Sequence, residues 1–247
     1  MTASYTQDYL LDKKIKIFQP VDGYRASTDA VMLAAMISRV EKAKILDVGS
    51  GTGAVSLCLA ERFKNCNISI DGLEIQSELA ELSNKSAKAN GFDFLKFYHC
   101  DINDKKNFTL NYCSYDIVVS NPPYSDHDMP SPNSSKATAH NLNGLSFTDW
   151  LNFCLKMAKP FGEIYMINRV EALPKICSIV QNKAGNITIL PIYSKKNQPS
   201  KRIIVSLQKD SKAPCSIRRP FFVHDDAGKY TAEAEKILRS GYSFDDL

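Results

Sequence analysis

Asn121-Pro122-Pro123-Tyr124 follows directly on the apolar run "YDIVVS", and these four residues have the makings of an acceptor site for a planar amine. Pro123 pushes Pro122 toward extended backbone, and Pro122 does the same to Asn121. Neither proline has an N–H to enter a ladder, so the chain leaves its strand stiff, with carbonyls that lack sheet partners. The Asn121 side-chain oxygen and the Pro122 carbonyl then offer two acceptors for the two hydrogens of an NH2 group. Tyr124 offers a face to a planar ring, and stacking of a base on an aromatic side chain is worth roughly 1–3 kcal/mol. The lone pair of an aromatic or amide amine is delocalised and poorly nucleophilic. Accepting both hydrogens draws the nitrogen toward tetrahedral geometry and stabilises the positive charge that develops as an alkyl group arrives. Alignment and preorganised dipoles then stand in for a strong base. The plainer alternative is a strand stopped by prolines beside a packed tyrosine.

A second group of residues says what would face that amine. "ILDVGSGTGAVSL" joins an apolar strand to a helix through Gly49, Gly51 and Gly53, which let backbone approach a ligand closely. Alone this is a weak signal, shared by many nucleotide-binding folds. The glycines run G-x-G-x-G rather than G-x-G-x-x-G, and Asp47 precedes them. A carboxylate there repels a pyrophosphate and pairs with an ammonium group, which points to a ligand with an amino-acid end such as S-adenosylmethionine. Glu74 closes the next strand, where a carboxylate accepts from ribose hydroxyls; this position alone does not separate NAD from S-adenosylmethionine. Asp101 follows a third strand, within reach of an adenine amino group. One acid after each of three successive strands marks the C-terminal sheet edge, where open α/β folds bind ligands. The alternative is that these acids cap helices or simply end strands.

The elements that must position these residues alternate along the chain. "YLLDKKIKIFQP" reads as a hairpin around Asp12-Lys13-Lys14, and "STDAVMLAAMI" as a helix capped by Ser27 or Thr28. From Lys44, strands "KILDV", "ISIDGLEI", "LKFYHC", "YDIVVS" and "GEIYMINR" alternate with helices "GAVSLCLAERF", "SELAELSNKSAKAN" (ended by Gly91), "FTDWLNFCLKMAKP" and "EALPKICSIVQNKA". "NITILPIY" and "RIIVSLQ" close the series as an antiparallel pair at the sheet edge. This order implies βαβ units and a doubly wound α/β sheet. No linker separates a second full domain: residues 1–43 form a hairpin-and-helix extension, and 44–247 form the domain that carries the site. Residues 125–145, polar and rich in Ser, Asn and Pro, make a long loop of the kind that is functional or disordered; His127 and His140 within it read as solvated. Trp150 reads as a core residue, and His99 and His224 as structural.

Composition narrows the class. The chain has 247 residues, 44% apolar and 23% charged, in the range of soluble globular proteins. No apolar run approaches the roughly 18 residues that span a membrane, and the N-terminus lacks the pattern of a secretory leader. Seven scattered cysteines contain no CxxC pair, so no metal site is expected and a reduced, cytoplasmic setting is the simplest reading. Residues 195–219 hold eight Lys/Arg against one acid, Asp210, so the whole positive excess of the chain lies there. Such a cluster suits a polyanion, or is a solvated lysine-rich face. Lys195, Lys196, Lys201, Arg202, Arg218 and Arg219 are the candidates for holding RNA, since a base in a loop must leave its stack to enter such a pocket.

"LDVGSGTG" and "NPPY" resemble the first and fourth motifs of class I S-adenosylmethionine-dependent methyltransferases of the N-P-P-Y group. "QPVDGYRASTDAVMLAA" and "FFVHDDAGKYTAEAEKIL" are similar to segments at either end of the bacterial tRNA(Val) (adenine(37)-N6)-methyltransferases, so the resemblance runs nearly end to end. It implies a Rossmann-like fold with a mostly parallel, seven-stranded sheet, an antiparallel edge strand and a short N-terminal extension. It further implies methyl transfer from S-adenosylmethionine to N6 of the adenine 3′ of the anticodon, by a monomer or weak dimer with tRNA as partner. Asp47, Gly49, Glu74, Asp101 and Asn121 are expected around the cofactor, with Gly51, Gly53 and Ile102 completing its cradle. Arg25, Thr28 and Asp29 are expected to close over its methionine end, although Thr28 and Asp29 also suit ordinary helix capping. Asn121, Pro122 and Tyr124 are expected to hold the flipped adenine, with Pro123 beside it. Rival readings are a glutamine N5-methyltransferase acting on release factors, a guanine-N2 rRNA methyltransferase, and a catalytically silent RNA-binding protein. Only 46 residues precede Asp47, short of the helical domain usual in the first rival. No recognition domain for DNA is evident.

Overall fold

The computed structural model describes residues 4–104, 108–123 and 145–247. Strands β1 (Tyr5–Leu10) and β2 (Ile15–Pro20) form the expected hairpin, in register Tyr5↔Pro20 to Leu10↔Ile15. Leu11, Asp12 and Lys13 take left-handed φ values to turn it. Helix α1 (Thr28–Ala35) follows; Ser27 occupies the N-cap position, but its hydroxyl makes no capping bond.

The main sheet contains β3 (Lys42–Val48), β4 (Asn67–Glu74), β5 (Leu95–His99), β6 (Tyr115–Ser120), β7 (Ala158–Arg169), β8 (Ala184–Tyr193) and β9 (Arg202–Lys209). Their spatial order is β8-β9-β7-β6-β3-β4-β5, and two-residue strands β10 (Ser216–Ile217) and β11 (Phe221–Phe222) extend the sheet along β8. The strands from β5 to β7 are parallel. The antiparallel pair lies at one edge, with the reversed strand β9 one place in, inserted between β7 and β8. The outer strand β8 therefore runs parallel to β7.

Alternation sorts side chains between the two faces. Ile45, Ile117 and Val119 point into one core with α1, α2 (Ala54–Arg62), α3 (Ser77–Ala89) and the hairpin. Leu46, Val48 and Val118 point into the other, under α4 (Phe147–Met157) and α5 (Leu173–Val180). Helix α4 buries Phe147, Trp150, Leu151, Cys154 and Leu155 at helical spacing, and the Ser146 hydroxyl caps it by accepting the Asp149 amide at 3.1 Å. Gly91, at φ +72°, ends α3 just past Asn90. With helices on both faces, the C-terminal ends of β3, β4, β5 and β6 meet along one rim.

Candidate active site

That rim holds a cleft of about 670 Å³, open mouth included, lined by Tyr24, Gly49, Gly51, Glu74, Asp101, Asn121 and Trp150 among others. Ile102 and Pro123 share its wall. Residues as distant in the chain as Tyr24 and Trp150 are thus brought together at four strand ends.

Asp47 lies beneath the cleft, 1% exposed. Its Oδ2 accepts the Ser56 hydroxyl at 2.7 Å, whereas its buried Oδ1 meets no hydrogen-bond partner among the described residues. Burial is the main cause that pushes the carboxyl up to about 7; the Ser56 bonds oppose the shift and the charge of Glu74 adds to it. An unpartnered buried acceptor of this kind is costly, and a cationic ligand group would relieve it. The buried hydroxyls of Ser50 and Thr52, in the adjoining turn, also lack partners among the described residues.

Glu74, buried at the end of β4, uses both oxygens on backbone: Oε2 accepts Gly51 N–H at 2.8 Å and Oε1 accepts Gln76 N–H at 2.9 Å. Its carboxyl is also shifted upward, chiefly by burial. The amides of Gly49 and Ser50 both donate to the Leu73 carbonyl at 2.9 Å, so the turn is fixed to β4 along its length. Gly49 and Gly51 have φ of +72° and +56°, and a Cβ on either would come within 2.8 Å of Trp150 or 2.6 Å of the Tyr24 ring. The turn is therefore sandwiched between two aromatic rings with room for hydrogen only. Gly53 is the N-cap of α2, also at positive φ.

Asp101 is exposed at the rim, and its Oδ1 accepts Asn103 N–H at 2.8 Å. The segment beginning at Asn121 is anchored just before it. Ser120 Oγ donates to the Val48 carbonyl at 2.8 Å and accepts Trp150 Nε1–H at 3.0 Å. Pro122 is buried and is not part of the lining. Tyr124, with His127, His140 and the rest of the 125–144 segment, lies outside the described residues.

Three residues expected over the cofactor are not part of the cleft lining, and two of them, Arg25 and Asp29, are bonded elsewhere. Arg25 clamps the hairpin, reaching Asp8 Oδ2 at 2.6 Å, the Pro20 carbonyl at 2.9 Å and Thr6 Oγ1 at 3.0 Å. Thr28 opens α1 and is exposed. Asp29 pairs with Arg202 Nε at 3.1 Å. Among the basic candidates, Arg218 pairs with Asp245 at 2.6 Å and Arg219 with Glu233 at 3.1 Å. Lys196 and Lys201 are exposed and Lys195 is half-buried.

Sequence reasoning missed Tyr24 and gave Trp150 to the core alone. Trp150 is a core residue whose ring edge also forms cleft wall. Tyr24 packs half-buried against the glycine turn, its phenol pushed up to about 12 by desolvation and by the nearby charges of Asp47, Glu74 and Asp29. Its place beside Arg25 was the only local signal, and it does not reveal a partner 27 residues away.

The methyltransferase domain family model matches residues 39–213. A tRNA1(Val) (adenine(37)-N6)-methyltransferase from Pedobacter heparinus is 32% identical over 92% of this chain and 94% of its own length. A protein of the same name from Actinobacillus pleuropneumoniae serotype 7 is 28% identical over 88% of this chain and 90% of its own. Among solved structures, Atu636 from Agrobacterium tumefaciens, described as an O-methyltransferase, superposes with a TM-score of 0.72 at 20% identity, covering 87% of this chain and 98% of that one. At that identity it speaks for the fold only.

Proposed function

Because the chain belongs to the methyltransferase domain family and to the family of tRNA1(Val) (adenine(37)-N6)-methyltransferases, we infer that it methylates N6 of an adenine in tRNA, the adenine 3′ of the anticodon in tRNA(Val), using S-adenosylmethionine. One observation carries the chemistry: Asn121 and Pro123 share a single cleft with Gly49, Gly51, Glu74 and Asp101.

The residues present fit the cofactor. S-adenosylmethionine, when bound, supplies an activated methyl group on its sulfonium. Asp47 Oδ1, buried and unpartnered among the described residues, is the acceptor for the ammonium end. Gly49 and Gly51 present bare backbone to the cofactor, and Glu74 and Asp101 are the carboxylates for ribose hydroxyls and adenine. Ile102 offers apolar contact to the adenine ring. Arg25 and Asp29 then act at one remove, by holding the hairpin and α1 in place behind Tyr24, while Thr28 opens α1.

On the acceptor side, Asn121 Oδ1 and the Pro122 carbonyl take the two hydrogens of the adenine amine, with Pro123 and Tyr124 against the ring. Such fixed dipoles stabilise charge that develops in the transition state and need no strong base. The acceptor base reaches them only when it leaves its stack. Lys195, Lys196, Lys201, Arg202, Arg218 and Arg219 are the cations proposed to face the RNA. A monomer or weak dimer is the working unit we propose. Among the described residues no helix is long and apolar enough to cross a membrane and no cluster suits a metal ion. The acceptor, together with seven free thiols, supports action in the cytoplasm.

The test is to incubate the purified protein and labelled S-adenosylmethionine with unmodified tRNA transcripts and digest the product to nucleosides. Label in N6-methyladenosine, at the position 3′ of the anticodon, is expected. Label in 2-methylguanosine, in release factor offered alongside, or nowhere refutes the assignment.

A further inference from the structure

A second surface stands on the same sheet edge as the cleft. β8 ends there at Tyr193, and the next residues lead into Lys195 and Lys196. β11 runs beside the end of β8, Phe221↔Ile192 and Phe222↔Tyr193, and brings with it the turn 223–231. That turn is built rigidly. His224 N–H donates to the Ser194 carbonyl at 2.9 Å, Thr231 N–H to the Val223 carbonyl at 3.0 Å, and Asp225 N–H to the Lys229 carbonyl at 2.8 Å. His224 and Tyr230 bridge across it.

The result is an ordered group of rings with cations around it. The His224 and Tyr230 rings stack, with centroids 5.1 Å apart and planes at 18°. Tyr193 and Phe222 form a second, tilted pair, centroids 5.4 Å apart. Lys195 reaches over the turn, its Nζ 3.6 Å from where a Cβ on Gly228 would stand. Lys196, Lys229 and the Tyr230 ring edge are exposed. Of the nearby acids, Asp225 is used inside the turn, accepting Lys229 N–H at 2.9 Å, and Asp226 is exposed. Aromatic faces interleaved with lysines are the equipment of single-stranded nucleic-acid binding: cations track phosphates and rings accept bases.

Distance fits the same ligand. From β6, whose end leads into Asn121, the order β6-β7-β9-β8 is three strand steps, or about 14 Å at the usual strand spacing. A few nucleotides of backbone cover that span. Arg202, Arg218 and Arg219, the other arginines proposed to face the RNA, also pair with Asp29, Asp245 and Glu233, whereas Lys195, Lys196 and Lys229 stand beside the stacked rings.

We propose that the stacked His224–Tyr230 pair, with Lys195, Lys196 and Lys229, is an RNA-docking platform that grips the nucleotides flanking the target base while that base occupies the cleft. This rests on RNA being the acceptor, as assigned above.

The experiment measures binding of an unmodified tRNA(Val) transcript across a KCl series, alongside calorimetric binding of S-adenosylhomocysteine and label transfer. The variants are Lys195→Glu/Lys196→Glu, Tyr230→Ala and Tyr230→Phe, with Lys212→Glu as the charge control. Lys212 is exposed and follows the end of β9, at the opposite sheet edge. The double lysine variant and Tyr230→Ala are each expected to weaken tRNA binding about tenfold, in the range of one stacked base. Tyr230→Phe and Lys212→Glu should stay within about twofold, and cofactor affinity should not move. The lysine variant should also flatten the salt dependence, by roughly 0.7 in log–log slope for each single-strand phosphate no longer neutralised. Equal loss with Lys212→Glu, or unchanged tRNA binding in the platform variants, overturns the proposal; the latter would leave the surface to a protein partner. If the wild type methylates tRNA while platform variants bind normally, the platform falls and the function stands. If the wild type binds with the expected profile yet methylates no adenine, the reverse holds.

Discussion

Trp150 donates its indole N–H to Ser120 Oγ at 3.0 Å, so the residue just before Asn121 is held by a helix from the far side of the 124–144 segment. Since Ser120 also bonds the Val48 carbonyl, this one hydroxyl joins β3, β6 and α4 under the cleft. Trp150→Phe keeps a ring but removes the donor and part of the volume. A loss of about 1–3 kcal/mol is expected, which for a chain of this size lowers Tm by roughly 2–10 °C. Methyl transfer should fall more than cofactor affinity, because the displaced group is Asn121. Calorimetry and single-turnover rates on the same preparation check this.

Asn121→Ala removes the acceptor placed for the amine while sparing the glycine turn. Methyl transfer is expected to drop at least about a hundredfold, the cost of losing one preorganised polar partner of the transition state. Cofactor affinity should stay within roughly tenfold. Activity equal to wild type would rule out the role given to Asn121.

Asp47 gives a prediction in pH. Its carboxyl is raised to about 7 in the fold from an ordinary value near 3.9 when unfolded. The folded protein therefore holds this proton more tightly than the unfolded chain. The associated stability is fully present below about pH 4 and is lost as pH rises through about 7. Without ligand, Asp47→Asn should melt higher than wild type at pH 8, and the difference should shrink toward pH 5. With ligand the sign reverses: pairing an ammonium group requires the carboxylate, so cofactor affinity of the wild type should fall below about pH 7, with proton release visible by calorimetry in buffers of different ionisation enthalpy. The variant should bind weakly at every pH.

Gly51→Ala sets a Cβ within 2.6 Å of the Tyr24 ring at a φ of +56°. Backbone strain of this kind costs roughly 1–3 kcal/mol, and the ring must move as well. Cofactor affinity is expected to fall at least about tenfold. Adding Tyr24→Ala should recover part of the loss, since it removes the clash and leaves the strain. A double-mutant cycle on S-adenosylhomocysteine binding reads the coupling directly.

Much of the scaffold was legible because its signals are local. The strands β3, β4, β5, β6 and β7 and the helices between them announce themselves through apolar alternation and helical spacing. Gly49 and Gly51 need only their own φ to declare a turn. The pairing of β8 with β9 was visible too, but the insertion of β9 between β7 and β8 was not, because either strand carries enough Ile and Val to sit inside.

The site divides along the same line. By itself the sequence determined that acids stand at the ends of three successive strands and that Asn121 leaves β6 on a stiff proline backbone, since chain connectivity and the geometry of glycine and proline act within a few residues. Tertiary structure decided which side chains those backbones meet. Arg25 turns to Asp8 and Arg202 to Asp29, 173 positions away; Tyr24 and Trp150 close on the glycine turn from opposite sides. An arginine or an aromatic ring carries no mark of its partner in sequence, because charge pairing and packing are satisfied by whatever group the folded sheet brings within reach.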